Sequence, residues 1–261
     1  MAVDHNKYKG GMESGMNKAV NRFKKIVDKI IPIYAIIPLL FSFGLGTALY
    51  RIIMSNGGSW YHYNFQTSLD EKIPVMSIWM YVYFGCYLFW AVNYIITARV
   101  YRDDSDMFYK FIFADILARI ICSMIFIVVP TTIKRPKIQI NTFSDRLLAY
   151  LYTIDEPTNL FPSMHCLYSW MSFAGVRHSR KVPKWYKIFS FIFAVMVAAS
   201  TQFTKQHYLV DIAGGFLLGE LSYQISLYSA GYKVPQKLFT WINVRLFGRD
   251  RVYVKSNGNK I

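Results

Sequence analysis

The chain has 261 residues, 54% of them hydrophobic and 18% aromatic, and only 17% are charged, against about a quarter in soluble globular proteins. Its 30 Lys and Arg against 15 Asp and Glu give a formal charge of +15, which in a soluble protein would suggest nucleic acid as a partner. The apolar residues are gathered into blocks, however, so the basic surplus belongs to cytoplasmic segments flanking membrane spans, and nucleic acid is excluded as a partner.

The first segment, residues 1–32, is mostly polar and unlike a short cleavable leader, so the first span is expected to stay in the mature protein. Within it, Val20, Phe23, Ile26, Val27, Ile30 and Ile31 fall on one helical face, with Lys18, Lys24, Lys25 and Lys29 elsewhere. That pattern predicts an amphipathic helix lying at the membrane interface. Six apolar blocks follow inside residues 33–230, at about 33–55, 74–97, 109–133, 162–177, 185–202 and 207–229. Several reach the roughly 20 residues that a helix needs to cross a bilayer. The fold class expected is therefore all-α and integral to the membrane, with six transmembrane helices. Residues 231–261 interleave Leu238, Phe239, Trp241, Ile242, Leu246 and Phe247 with Lys237 and Arg245, as a second interfacial helix would, and end in a basic tail.

Six crossings put both termini on one side. That side holds 22 of the 30 basic residues and the opposite segments hold six, namely Lys72, Lys134, Arg135, Lys137, Arg146 and Lys205. The termini are thus expected to be cytoplasmic. Four of the six exceptions fall in the longest outer connection, residues 134–161. The three cysteines, Cys86, Cys122 and Cys166, all lie in apolar blocks, which predicts burial with neither disulfide nor metal site.

Three segments at that outer face carry chemistry: Lys134-Arg135-Pro136, then Pro162-Ser163-Met164-His165, then Ser200 through His207 to Asp211. His207 and Asp211 stand four residues apart, which on a helix sets both on one face, where the carboxylate can accept the Nδ1 proton and leave Nε2 free as a nucleophile. A buried structural pair would have the same spacing. His165 falls in the first turn of its helix, after Pro162 at the opening position. There free N–H groups and the helix dipole favour an anion, Ser163 can add a hydroxyl, and His165 can protonate a leaving oxygen. Arg135 can grip two phosphate oxygens, with Lys134 and Lys205 as point charges beside it. Elsewhere, Asp115 and Arg119 are spaced to neutralise each other within the third span, and Gly215 and Gly219 form a small face for close helix packing.

Together these residues resemble the type 2 phosphatidic acid phosphatase (PAP2) superfamily, whose pattern is Lys-x6-Arg-Pro, Pro-Ser-Gly-His and Ser-Arg-x5-His-x3-Asp. The matches are Arg135-Pro136, Pro162-Ser163 with His165, and Ser200, His207 and Asp211. The resemblance implies a six-helix core, His207 as a nucleophile that becomes phosphohistidine, Asp211 as its partner, His165 as acid to the leaving group, Arg135, Ser163 and Ser200 around the phosphate, and no metal or other cofactor. Two family cations are replaced, by Val128 and Thr201, and Met164 replaces the glycine. Lys134 and Lys205 are the nearest substitutes in sequence. The variant is similar to the branch of sphingomyelin and inositol phosphorylceramide synthases, which pair Pro-Ser-x-His with His-Tyr-x-x-Asp. The activity implied is hydrolysis of a phosphorylated lipid such as phosphatidate, phosphatidylglycerophosphate or a polyprenyl diphosphate. Transfer of a phospho-headgroup to a second lipid or alcohol is the alternative, and a non-enzymatic lipid-headgroup binder is the third.

Overall fold

The structure, a computed structural model, describes residues 27–56 and 60–248. Most of the expected N-terminal amphipathic helix and the basic tail lie outside the described residues. The helices are α1 (Ile33–Asn56), α2 (Ser68–Lys72), α3 (Met80–Val100, entered through a 3-10 turn at Ser77–Trp79), α4 (Ser105–Val128), α5 (Phe143–Ile154), α6 (Met164–Arg177), α7 (Lys184–Phe203), α8 (Leu209–Tyr228) and α9 (Lys233–Phe247). Four stretches are long and apolar enough to cross a membrane: Ile33–Asn56, Ser77–Val100, Ser105–Val128 and Lys184–Phe203. Their outward faces stay apolar, with Leu40, Leu88, Met124 and Ile188 each more than half exposed. So much exposed apolar surface suits lipid and not water.

α6 is the inner helix, packed against α3, α4, α7 and α8. The close approach of α8 depends on glycine: a Cβ on Gly215 would stand 2.5 Å from the Ser163 carbonyl oxygen, and one on Gly219 3.2 Å from Trp170 Cδ1. This is the small-residue face expected from the sequence, and it carries the start of α8 against the start of α6. Helix ends gather on two faces. On one, Tyr63 N donates to Pro130 O at 2.8 Å and Met76 N to Phe203 O at 2.9 Å. On the other, Lys181 pairs with Asp103 at 2.8 Å and Gln236 Nε2 donates to Asp106 Oδ1 at 2.7 Å.

Three features go beyond or depart from expectation. The third apolar block was expected to run to 133, but α4 ends at Val128, because Val129 precedes Pro130 and is pushed out of helical geometry, to φ −131° and ψ 69°. The connection 134–161 holds the helix α5, opened by a capping box in which Thr142 Oγ1 accepts from Asp145 N at 3.2 Å and Asp145 Oδ2 accepts from Thr142 N at 2.8 Å. Ser77 Oγ donates to the other Asp145 oxygen at 2.5 Å; that bond first, and Thr142 next, hold the carboxyl down to about 2. α9, expected to lie at the interface, packs Phe239 and Asn243 into the protein against α1 and α4 and leaves Leu238, Trp241 and Leu246 exposed.

Asp115 and Arg119 do pair within α4, at 2.9 Å with 0% and 4% of their side chains exposed. Asp115 also accepts from Ser42 and from Tyr94 Oη, and the Arg119 guanidinium lies 4.0 Å over the Tyr168 ring. Asp115→Leu would strand a buried guanidinium, so a loss of about 3 kcal/mol is expected, read as detergent-phase thermal unfolding. The double variant Asp115→Leu, Arg119→Leu should recover most of it; a double variant no more stable than the single one would mean the two charges are not coupled.

Candidate active site

The two histidine segments are joined by backbone. Ser163 N donates to Asp211 O at 2.9 Å, so the cap of α6 rests on the first turn of α8. Ser163 is the N-cap of α6, with φ −63° and ψ 115°, and its hydroxyl accepts from Cys166 N at 3.3 Å. Pro162, expected at the opening helical position, therefore stands one residue before the cap. His165 is in the first turn as expected. Its ring packs against Tyr83 at 4.7 Å and Trp90 at 5.7 Å between centroids, and faces the His207 ring at 5.6 Å and 62°.

His207 Nδ1 lies 3.5 Å from Asp211 Oδ2. The reason differs from the one the spacing suggested. His207 is not on a helix: α8 begins at Leu209, and Tyr208 is its N-cap with φ −91° and ψ 164°. Asp211 occupies the third helical position, and its carboxylate reaches back over the helix start, as an acidic residue there commonly does, accepting Tyr208 N at 2.8 Å and meeting the imidazole from below. Asp211 is 0% and His207 6% exposed. Asp211 Oδ1 and His207 Nδ1 make no hydrogen bond, and a long contact of this kind is one that tightens when charge appears on the ring.

Arg135 is delivered by a zipper between residues 131–133 and 157–161: Thr131 Oγ1 accepts from Leu160 N and Phe161 N at 2.8 and 3.0 Å, and Thr132 Oγ1 donates to Pro157 O at 2.8 Å. The guanidinium donates to the Asp155 carbonyl, to Asp155 Oδ2 at 3.0 Å and to Gln206 Oε1 at 2.7 Å, and lies 4.9 Å over the Tyr152 ring. Its side chain is 7% exposed. It is thereby bonded to Gln206, the residue preceding His207.

His165, His207, Asp211, Ser163 and Arg135 thus belong to one constellation. The remaining candidates are placed otherwise. Lys205, at φ 49°, sends its ammonium to the carbonyls of Asp70 at 2.8 Å and Ile73 at 2.6 Å, where burial lowers its pKa from the ordinary lysine value. It ties the connection between α7 and α8 to the end of α2 and leaves no donor pair of its own for phosphate there. Lys134 is exposed. Ser200 is fully buried, and its hydroxyl donates to Val197 O within its own helix at 2.6 Å. Thr201, at the family's arginine position, does the same to Ala198 O at 2.7 Å, and Val128 is 75% exposed at the end of α4. Neither family cation has a replacement from those positions.

Sequence reasoning missed Asp155 and Gln206, which hold Arg135, and Asp70, whose Oδ1 accepts Leu209 N at 2.8 Å at the start of α8. The Thr-x-x-Asp spacing of Thr67 and Asp70 could have revealed the last as a capping pair; Asp155 opens a stretch, Asp155-Glu156-Pro157-Thr158-Asn159, whose composition reads as a turn before α6, but nothing in local pattern ties it or Gln206 to Arg135. Among the described residues no group of three or more His, Cys, Asp or Glu side chains is arranged to hold a metal ion.

The described residues form helices, several of membrane length and apolar, and His165, His207 and Asp211 meet where two of them begin, an arrangement suited to handling phosphate at a membrane. A family model described as the PAP2 superfamily matches residues 55–225, more than half of the chain, and the chain belongs to that superfamily, whose members are generally phosphatases. No curated protein and no solved structure gives a match.

Proposed function

We propose that this protein is a membrane lipid phosphate phosphatase that hydrolyses a lipid phosphomonoester or diphosphate, of the kind of phosphatidate, phosphatidylglycerophosphate or a polyprenyl diphosphate, through a phosphohistidine at His207. The observation that carries it is the opposition of two imidazoles 5.6 Å apart, one of them backed by a buried carboxylate 3.5 Å from its Nδ1. With Nδ1 turned to Asp211, Nε2 is the atom left to attack phosphorus, and the carboxylate stabilises the imidazolium that forms. As the new N–P bond forms, the P–O bond to the lipid breaks and His165 gives its proton to the departing oxygen. Water then attacks the phosphohistidine, returns a proton to His165 and releases phosphate. Arg135 and the free N–H groups at the start of α6 face the negative charge. No metal enters these steps.

The topology that goes with this reading has six spans, α1, α3, α4, α6, α7 and α8, in the cell membrane, with cytoplasmic termini and the site on the outer side. The grouping of helix ends into two faces and the bias of basic residues support it. α6 has only 14 residues, about 21 Å at 1.5 Å per residue, against a hydrocarbon core of about 30 Å. A helix of that length leaves room for its start, with His165, to lie below the outer surface, at a depth a lipid phosphate can reach. The exposed apolar residues of α9 fit the opposite interface.

Burial of His207 favours a second reading, transfer to a lipid or alcohol acceptor as in the sphingolipid synthase branch, because a phosphohistidine shielded from water survives until the acceptor arrives. Purified protein in mixed micelles, given each of the three lipid phosphates with and without an acceptor alcohol, should release free phosphate, and EDTA should leave the rate unchanged. Product found only on the acceptor would establish transfer instead. Headgroup binding without turnover would leave the non-enzymatic reading, and loss of activity in EDTA reversed by one divalent ion would overturn the metal-free mechanism.

A further inference from the structure

Gln206 is 2% exposed and stands next to His207 in the chain. Both residues share an anchor, since Gln206 N and His207 N donate to the Thr201 carbonyl at 2.8 and 3.3 Å. The orientation of the amide is determined by Arg135, whose Nη2 donates to Oε1 at 2.7 Å. Turning the amide over would set N–H against N–H. Nε2, with two N–H donors, is thereby left buried without an acceptor, and so is Arg135 Nε. Unpaired buried donors are costly and few in native structures, so two on a bonded pair beside a nucleophile call for an acceptor that comes and goes. Arg135 has spent its Nη atoms on Asp155 and Gln206, and Thr201 and Lys205 are turned elsewhere.

We infer that Gln206 is a phosphate-binding residue of this site, its Nε2 donating to a non-bridging oxygen of the substrate as the phosphoryl group passes to His207, with Arg135 Nε as the neighbouring donor. The inference rests on the phosphoryl-transfer reading of the His207 site and deepens it. Gln206 supplies hydrogen bonds without charge, so oxygens are held while the site carries fewer positive charges than the family's pattern provides.

Two substitutions separate this from a merely structural role as acceptor for Arg135. Gln206→Glu keeps an oxygen for Arg135 but removes both donors and adds a negative charge. Gln206→Lys keeps donors and removes the acceptor. A donor role predicts that Gln206→Glu lowers kcat/KM on phosphatidate in mixed micelles by about 10²-fold, the scale of losing one preorganised donor to a developing oxyanion, and weakens inhibition by orthovanadate in parallel. Gln206→Lys should keep orthovanadate inhibition at or above the wild-type level. The reverse order, Glu tolerated and Lys inactive, would overturn the assignment and leave Gln206 as a support for Arg135. Unfolding temperatures in the same detergent are compared alongside, and if one variant does not fold the other still decides by its orthovanadate inhibition. Wild-type protein inert toward every lipid phosphate overturns the functional reading, and this inference with it, whereas an active wild type with an unimpaired Gln206→Glu sinks only the inference.

Discussion

His207→Ala is expected to abolish any acid-labile phosphoenzyme and to lower turnover by about 10⁶-fold, the scale on which a nucleophile acting as part of a unit is lost. The size follows from what alanine cannot replace. The ring supplies the atom that bonds phosphorus, and it is the imidazole that meets Asp211, 0% exposed, at Oδ2, the oxygen that also accepts from Tyr208 N. Asp211→Asn retains the ring but loses the charge that stabilises imidazolium and selects its tautomer, so the phosphoenzyme should still form, far more slowly. Rapid acid quench, digestion and mass spectrometry locate the phosphate. Phosphate on His165 with His207 unmodified would reverse the two roles. Absence of phosphoenzyme with every substrate would point to direct attack by water or to a headgroup binder.

His165→Ala should slow phosphoenzyme formation by about 10³-fold with a lipid substrate and very little with an aryl phosphate whose leaving group departs without a proton. The distinction comes from position. His165 faces His207 at 5.6 Å across the site, packs against the rings of Tyr83 and Trp90, and among the described residues is paired with no carboxylate. It is suited to handing over a proton and lacks the partner a nucleophile needs. Phosphoenzyme formation from the aryl phosphate should persist in this variant, while hydrolysis of the intermediate slows because the same ring must take a proton from water. An equal loss with both leaving groups would remove the general-acid assignment and indicate that His165 only shapes the pocket. Unfolding of the variant should be followed as well, since the ring fills space between Tyr83 and Trp90.

Much of the site was legible before any geometry. Pro162, Ser163, His165, His207 and Asp211 are spaced in a pattern whose parts explain one another chemically, and the alternation of apolar blocks with basic segments sends all of them to one face. Arg135 was legible as a cation but not as a bound one. Its partners, Asp155 and Gln206, are 20 and 71 residues away, and at such separations no periodicity connects donor to acceptor. The same blindness affected Lys205. On charge and proximity it belonged with the phosphate ligands; its left-handed backbone and the open carbonyls of Asp70 and Ile73 took its ammonium instead.

Sequence alone determined what depends on composition and short-range pattern: helices in a membrane, the small face of Gly215 and Gly219, the neutral pair of Asp115 and Arg119, and the His, His, Asp set. Those properties follow from hydrophobic transfer and from spacings within one or two helical turns, which neighbours in the chain impose on each other. Only the tertiary structure decided which cations remain free for an anion, why Asp211 reaches His207 from the start of a helix and not along its face, and that a neutral amide lies buried with its donors unpaired. These depend on buried polar groups choosing among acceptors that folding brings from distant segments, and that choice is settled by desolvation, which is decided when the helices pack.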